Sequence, residues 1–265
     1  MNHPSRPLAS VCLLALGVIL WLPLGQQDFL AEHWMKVGAF IAPVLLFMAC
    51  LSARPKANGW TPQQIISDHF LVAVLLAIAY LLHQVEEHWV DLLGRPYPLY
   101  ETLNNLIASV FGQERYGVMT PTAIFYVNTG TVWTLAFLAI LGAGLYTLPL
   151  NAMAGLVLVN GISHIGTAIS SFSYNPGLGT SIEIFIPLSL GVLISLGKQQ
   201  QRMVQVFITA ILWGVAGHVF LFAGIIAANI YGIVPVGLYY AGLILFGVAP
   251  TIWARLMVSR AADHS

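Results

Sequence analysis

The run His83-Gln-Val-Glu-Glu-His-Trp-Val-Asp91 crowds five ionisable side chains into nine residues. On a helix, positions i, i+3 and i+4 share a face, so His83, Glu86 and Glu87 stand together and Asp91 lies one turn beyond Glu87. His88 points elsewhere; it and Asp91 fit a wet helix end. Acids this close repel, so one carboxyl is protonated or a cation sits among them. Imidazoles beside carboxylates form the donor set of zinc hydrolytic sites and of non-haem Fe(II) sites. Two metals sharing the Glu pair are a further arrangement, as in carboxylate-bridged helical bundles. Glu86 and Glu87 are the candidate catalytic groups, Glu87 as a general base beside a metal-bound water.

Other stretches supply candidate partners. Asn160 and His164 form an i, i+4 pair, and His218 follows Gly214 and Gly217, which permit close helix approach. Glu183 and Asn128 lie near the starts of two further apolar runs. The expected metal ligands are therefore His83, Glu86, Glu87, His164 and His218, with Asn128, Asn160 and Glu183 in support. Helices of alternating direction and a rise of about 1.5 Å per residue bring seven of them, His83, Glu86, Glu87, His164, His218, Asn128 and Glu183, to a similar depth.

The elements that must carry these residues are apolar. Of 265 residues, 58% are hydrophobic and 8% charged, with a mean hydropathy of +0.82. A soluble domain would carry about 25% charged residues, so lipid has to cover most of this surface. Apolar runs near 9–25, 35–53, 69–91, 121–145, 149–172, 179–197, 204–230 and 234–256 predict about eight spans, an all-α polytopic bundle forming a single transmembrane domain over 1–265. The first run lacks a small-x-small cleavage site and reads as a retained helix. Each ionisable group at mid-membrane costs about 2.5–3.5 kcal/mol on insertion scales, so His83, Glu86 and Glu87 must face the bundle interior. Seven basic residues (Arg6, Arg54, Lys56, Lys198, Arg202, Arg255, Arg260) fall on one side and three (Lys36, Arg95, Arg115) on the other. The expectation is a multi-pass cell-membrane protein with both termini cytoplasmic.

The connection 92–120 then lies outside, extramembrane or interfacial. Its Leu103, Leu106, Ile107, Val110 and Phe111 form an amphipathic stripe, either an ordinary connector or a lid over the site. Zero net charge and no Lys/Arg cluster exclude a nucleic-acid partner. Cys12 and Cys50 lack metal or disulfide spacing, and no G-x-S-x-G or phosphate-binding fingerprint occurs.

His83-Gln-Val-Glu-Glu, with Asn160-Gly-Ile-Ser-His164, Tyr174-Asn-Pro-Gly-Leu and Thr180, resembles the HXXEE family of bacterial membrane proteins over roughly 70–195. The resemblance implies a site at His83, Glu86, Glu87 and His164 and supplies no substrate. On residues alone, Asn175-Pro-Gly177 reads as an outer turn. A weaker resemblance links the Glu pair, His164 and His218 to CAAX-type intramembrane proteases, but Asp91 and Asn160 stand where that pattern has Arg and Phe. The functions that fit are a metal-dependent membrane enzyme (Zn or Fe) acting on a lipid or small apolar substrate entering laterally, a proton-coupled transporter or relay, and an accessory protein with a structural polar cluster.

Overall fold

The computed structural model describes residues 24–52 and 61–263. Among them, seven helices are long and apolar enough to cross a membrane. We label the helices α1 (Asp28–Ser52), α2 (Pro62–Ser67), α3 (His69–His88), α4 (Pro98–Phe111), α5 (Pro121–Gly142), α6 (Leu148–Ser171), α7 (Leu178–Gln200), α8 (Met203–Ile230) and α9 (Val236–Asp263). The expected span 9–25 lies outside the described residues. α1 begins at Asp28, earlier than hydropathy suggested, because Asp28, Glu32 and Lys36 occupy its first turns. Lys36 lies 5.8 Å from the centre of the Trp89 ring, so its charge meets an aromatic face.

α3 starts where Asp68 accepts bonds from Phe70 N and Leu71 N at 3.0 and 3.1 Å, satisfying two of the free donors of a helix start. It runs through buried apolar residues from Leu71 to Leu81 and delivers its polar last turn to one end of the bundle. α6 is the central post. Its Gly155 faces Ala210 and Gly214 of α8 so closely that a methyl group on either glycine would strike the partner's backbone. Small residues let the two backbones touch where lipid provides no hydrophobic push.

Three spans carry π-helical turns: Tyr126–Trp133 in α5, Ser181–Phe185 in α7 and Ile225–Ile230 in α8. A π turn frees backbone carbonyls, and in α5 side chains take them up. Asn128 Nδ2 donates to Ile124 O at 3.0 Å, Thr129 Oγ1 to Phe125 O at 2.8 Å and Thr134 Oγ1 to Thr129 O at 3.3 Å. In α7 the cause is Pro187, which has no N–H to offer the Glu183 carbonyl. The helix nevertheless continues past Pro187 and Gly191, so the sixth expected span is bent in register but unbroken.

The connection after α3 folds as α4, whose Leu103 and Ile107 pack against a core containing Trp34, Tyr126 and Trp133. Fully buried Asn104 anchors it. Its amide donates to Tyr100 O and Met119 O and accepts from Gly117 N and Met119 N at 3.0–3.2 Å, stitching helix to the following loop. Between α3 and α4, Asp91 accepts from Leu93 N (2.9 Å), Arg95 N (2.8 Å) and Arg95 Nε (2.6 Å). Burial pushes its carboxyl up, but those donors and the guanidinium charge hold it below the usual carboxylate range. Asp91 thus ties a turn and does not extend the ionisable face of α3.

Candidate metal centre

The last turn of α3 places His83, Gln84, Glu86, Glu87 and His88 inside the bundle, none more than 5% exposed. The two neighbouring glutamates do different work. Glu86 faces the N-terminal turn of α7. Its Oε1 accepts from the Tyr174 hydroxyl (2.9 Å) and Gly179 N (3.0 Å), and its Oε2 from Thr180 N (2.8 Å) and Thr180 Oγ1 (2.6 Å). Four donors on one carboxyl mark an acceptor-only, ionised group. Burial, and after it the bond to Glu86, hold the Tyr174 hydroxyl above the ordinary phenol range, which keeps it a donor.

That arrangement fixes the proton on His83. Thr180 spends its hydroxyl proton on Glu86, so its oxygen can only accept from His83 Nδ1, 2.7 Å away. On His164, Asn175 does the equivalent. Its Nδ2 donates to the His164 carbonyl (2.9 Å), which turns Oδ1 towards His164 Nδ1 at 2.7 Å. Both imidazoles therefore carry a proton on Nδ1 and present Nε2 to the interior. Orienting ligand histidines through the far nitrogen is the usual outer partner arrangement of metal sites.

The two Nε2 atoms meet Glu87. His83 Nε2 is 3.3 Å and His164 Nε2 3.0 Å from the same oxygen, Glu87 Oε1. One ligand atom from each of His83, Glu87 and His164 lies within 4.8 Å of the others, a group that could hold a metal ion. Two lone pairs and a carboxylate oxygen repel unless something positive sits among them. A proton on His164 Nε2 would serve one of the two histidines only. His83 Nε2, in a fully buried side chain, has no hydrogen-bond partner, an omission worth about 1–3 kcal/mol. A metal answers for all three atoms, and the two separations from Glu87 Oε1, 3.3 and 3.0 Å, are close to ~3.3 Å, the edge of a tetrahedron with bonds of ~2.0 Å. The residues present fit a metal ion of the 2-His-1-carboxylate kind.

The remaining walls are tight. Phe185 lies against the His83 ring, centroids 4.3 Å apart. Gly177, at φ +89°, is so close that a Cβ would come within 2.6 Å of His83 Cε1 and 2.8 Å of His164 Cε1. Behind Glu87, His88 Nε2 is 3.5 Å from Oε2 and 3.3 Å from Asn128 Nδ2. Asn128 Oδ1 accepts from Gln84 (3.0 Å), whose Oε1 accepts from Trp133 Nε1 (2.7 Å).

Of the sequence candidates, the structure brings together His83, Glu87 and His164. Glu86 lies beside them, but both its oxygens face Tyr174, Gly179 and Thr180, so it orients His83 through Thr180. His218 remains apart from the group. Its Nδ1 is 2.8 Å from the carbonyl of Gly214 on its own helix, and the residue lines the adjoining cavity. Asn128 reaches His88, and Asn160 Nδ2 donates to the Tyr80 hydroxyl at 3.1 Å. Glu183 is exposed and takes no part, because the π turn of α7 carries it to the outer wall. Tyr174, Asn175, Gly177 and Thr180 entered only through the family resemblance. Asn-Pro-Gly is indeed a turn, and its backbone and amide also shape the centre.

The bundle and its buried group define a polytopic helical membrane protein with a His/Glu centre. Residues 74–192 match the model of a family described as a protein of unknown function with an HXXEE motif. That stretch includes the three converging residues, His83, Glu87 and His164, and their orienting partners. No curated protein and no solved structure matches the chain. The two-Glu, two-His set of CAAX-type proteases finds no support, since Glu86 is bonded to Tyr174, Gly179 and Thr180 and, among the described residues, His83, Glu87 and His164 are the ones that come together.

Proposed function

We propose that this chain is a metal-dependent integral membrane enzyme that holds zinc or iron(II) on His83, Glu87 and His164 and acts on a lipid or small apolar substrate. The convergence of His83 Nε2 and His164 Nε2 on Glu87 Oε1, with both far nitrogens already committed, carries this reading. The metal would supply Lewis acidity and lower the proton affinity of a bound water. Glu87 and His164 line an apolar cavity, so a ligand placed there meets the open side of the centre. Glu87 has a second oxygen, Oε2, that can take or return a proton at the reacting atom. The excess of basic residues on one side supports an orientation with the centre towards the outer face of the cell membrane and both termini cytoplasmic.

Elemental analysis of gently extracted protein tests the proposal. About one equivalent of zinc or iron is expected in the wild type, and His83→Ala and His164→Ala should lose it. Metal-free wild-type protein from metal-replete cells removes the proposal.

A second reading has its own observation. Glu87 stands within 3.0–3.5 Å of three imidazoles, His83, His164 and His88, the last held by Asn128, a cluster of protonatable groups that suits a proton relay. Vesicles containing the protein would then acidify in response to an imposed potential, and Asn128→Leu would abolish the response.

A further inference from the structure

A cavity of about 250 Å³ adjoins the centre. It exceeds the ~150 Å³ apolar cavity that takes up benzene and lies near the lower end of small-ligand pockets, ~300–1,000 Å³. Leu103 of α4, Leu156 of α6, Leu221 of α8 and Phe246 of α9 are among its apolar walls, and Glu87 and His164 meet it at one place. At its rim Leu106 of α4, Ser163 and Thr167 of α6 and Phe222 of α8 are exposed, so the mouth opens sideways between spans, beneath an interfacial helix.

Two polar groups on this wall are not spent. Tyr80 is 5% exposed, and its hydroxyl accepts from Asn160 Nδ2, leaving its proton with no acceptor among the described residues. Asn160 Oδ1 is fully buried and also lacks a partner. Turning the amide over would let Tyr80 donate to Oδ1 and would leave the two amide protons unused. In either setting the Tyr80–Asn160 pair holds an idle donor in a dry wall beside Glu87 and His164. An idle buried donor is costly, and an oxygen acceptor on a ligand would satisfy it.

We infer that the cavity binds a single-chain amphiphile, a slender hydrocarbon ending in an oxygen acceptor such as an ester or aldehyde carbonyl, with that oxygen on the Tyr80–Asn160 pair and the chain under α4. The inference takes the site of the proposed enzyme and names its substrate class, but the contacts it uses do not need the metal. The volume suits one chain better than two, and the sideways mouth lets the chain enter from the bilayer. Once seated, the oxygen-bearing carbon lies beside the open side of the centre, where Tyr80–Asn160 would bear charge developing on the oxygen.

Photolabelling of the full chain in lipid nanodiscs tests this. The probe is a medium-chain fatty acid methyl ester with a diazirine at the far end of the chain; an alkane of equal length with the same diazirine is the control. The ester should label Leu103, Leu221 or Phe246 saturably, and unlabelled ester should compete. Tyr80→Phe combined with Asn160→Leu should weaken ester labelling roughly three- to tenfold and leave alkane labelling unchanged. Tyr80→Phe alone keeps the ring packing and guards against misfolding in the double variant. Ester labelling spread over the outer walls like that of the alkane, or unmoved by the double variant, overturns the inference. Running the experiment with and without chelator separates the two proposals: labelling that survives in metal-free protein supports this one whatever the elemental analysis finds.

Discussion

Glu86 and Glu87 are adjacent and chemically alike, and the fold gives them opposite tasks because their neighbours differ. Glu86 looks at backbone N–H groups and two hydroxyls; Glu87 looks at two imidazoles. The i, i+4 spacing made the His83–Glu87 pair legible in the sequence, and span depth brought His164 to it. The division of labour was not legible, since it depends on Tyr174 from the loop before α7 and on Gly179 and Thr180 in the first turn of α7, whose approach to α3 hydropathy does not describe. His218 had the right depth, yet it is not among the residues whose ligand atoms come together, His83, Glu87 and His164. The Thr180 hydroxyl is the hinge of the reading. Thr180→Val should keep the helix and lower metal affinity by about 10- to 100-fold, read by chelator competition, whereas Thr180→Ser should restore most of it. Gly177→Ala should cost about 1–2 kcal/mol in backbone strain and also expel the metal, since its methyl meets both imidazole edges. Thermal unfolding in detergent and metal content would register the two effects separately.

Among elements, the spans were read nearly in full from apolar runs, with α1 the exception because its first turns are charged. The π turns left no mark in the composition. They arise where Pro187 withholds a donor and where Asn128, Thr129 and Thr134 offer side-chain substitutes for backbone bonds. Such turns recur at functional sites, and here Asn128 and Ile225 line the cavity while Phe185 backs His83. α4 was legible as an amphipathic stripe; that Asn104 moors it was not. Asn104→Ala should leave the spans intact and raise hydrogen exchange at Gly117 and Met119, whose N–H groups it accepts. The Asp91 turn gives a pH signature. A carboxyl held below its ordinary value of about 3.9 stabilises the fold above that value and loses the contribution as pH falls through its folded value. Asp91→Asn should therefore unfold more readily than wild type at neutral pH, and the gap should close in acid.

For the whole molecule, alternating spans turn a rule about depth into a rule about assembly. α3 and α6 run the same way, so their C-terminal portions reach one level, and the turn into α7 closes over them. In the orientation proposed from the basic residues, this level faces outward. Single cysteines at Gln201 and Gly232, in a background lacking the native thiols, should be labelled from opposite sides: Gln201 from the cytoplasm and Gly232 from outside. The reverse pattern would turn the whole molecule over and leave its internal geometry untouched.

The short link from Phe172 to Gly177 joins two long spans and holds or borders the acceptors on which both imidazoles depend. Asn175 steadies His164, Gly177 makes room for both rings, and Thr180 follows within one turn of helix. An ion bound at the proposed centre and this link would be thermodynamic partners, each lending its free energy to the order of the other. A protease nick in that link would leave every span embedded and still disarm the centre, and a loaded centre would in turn shield the link from the blade.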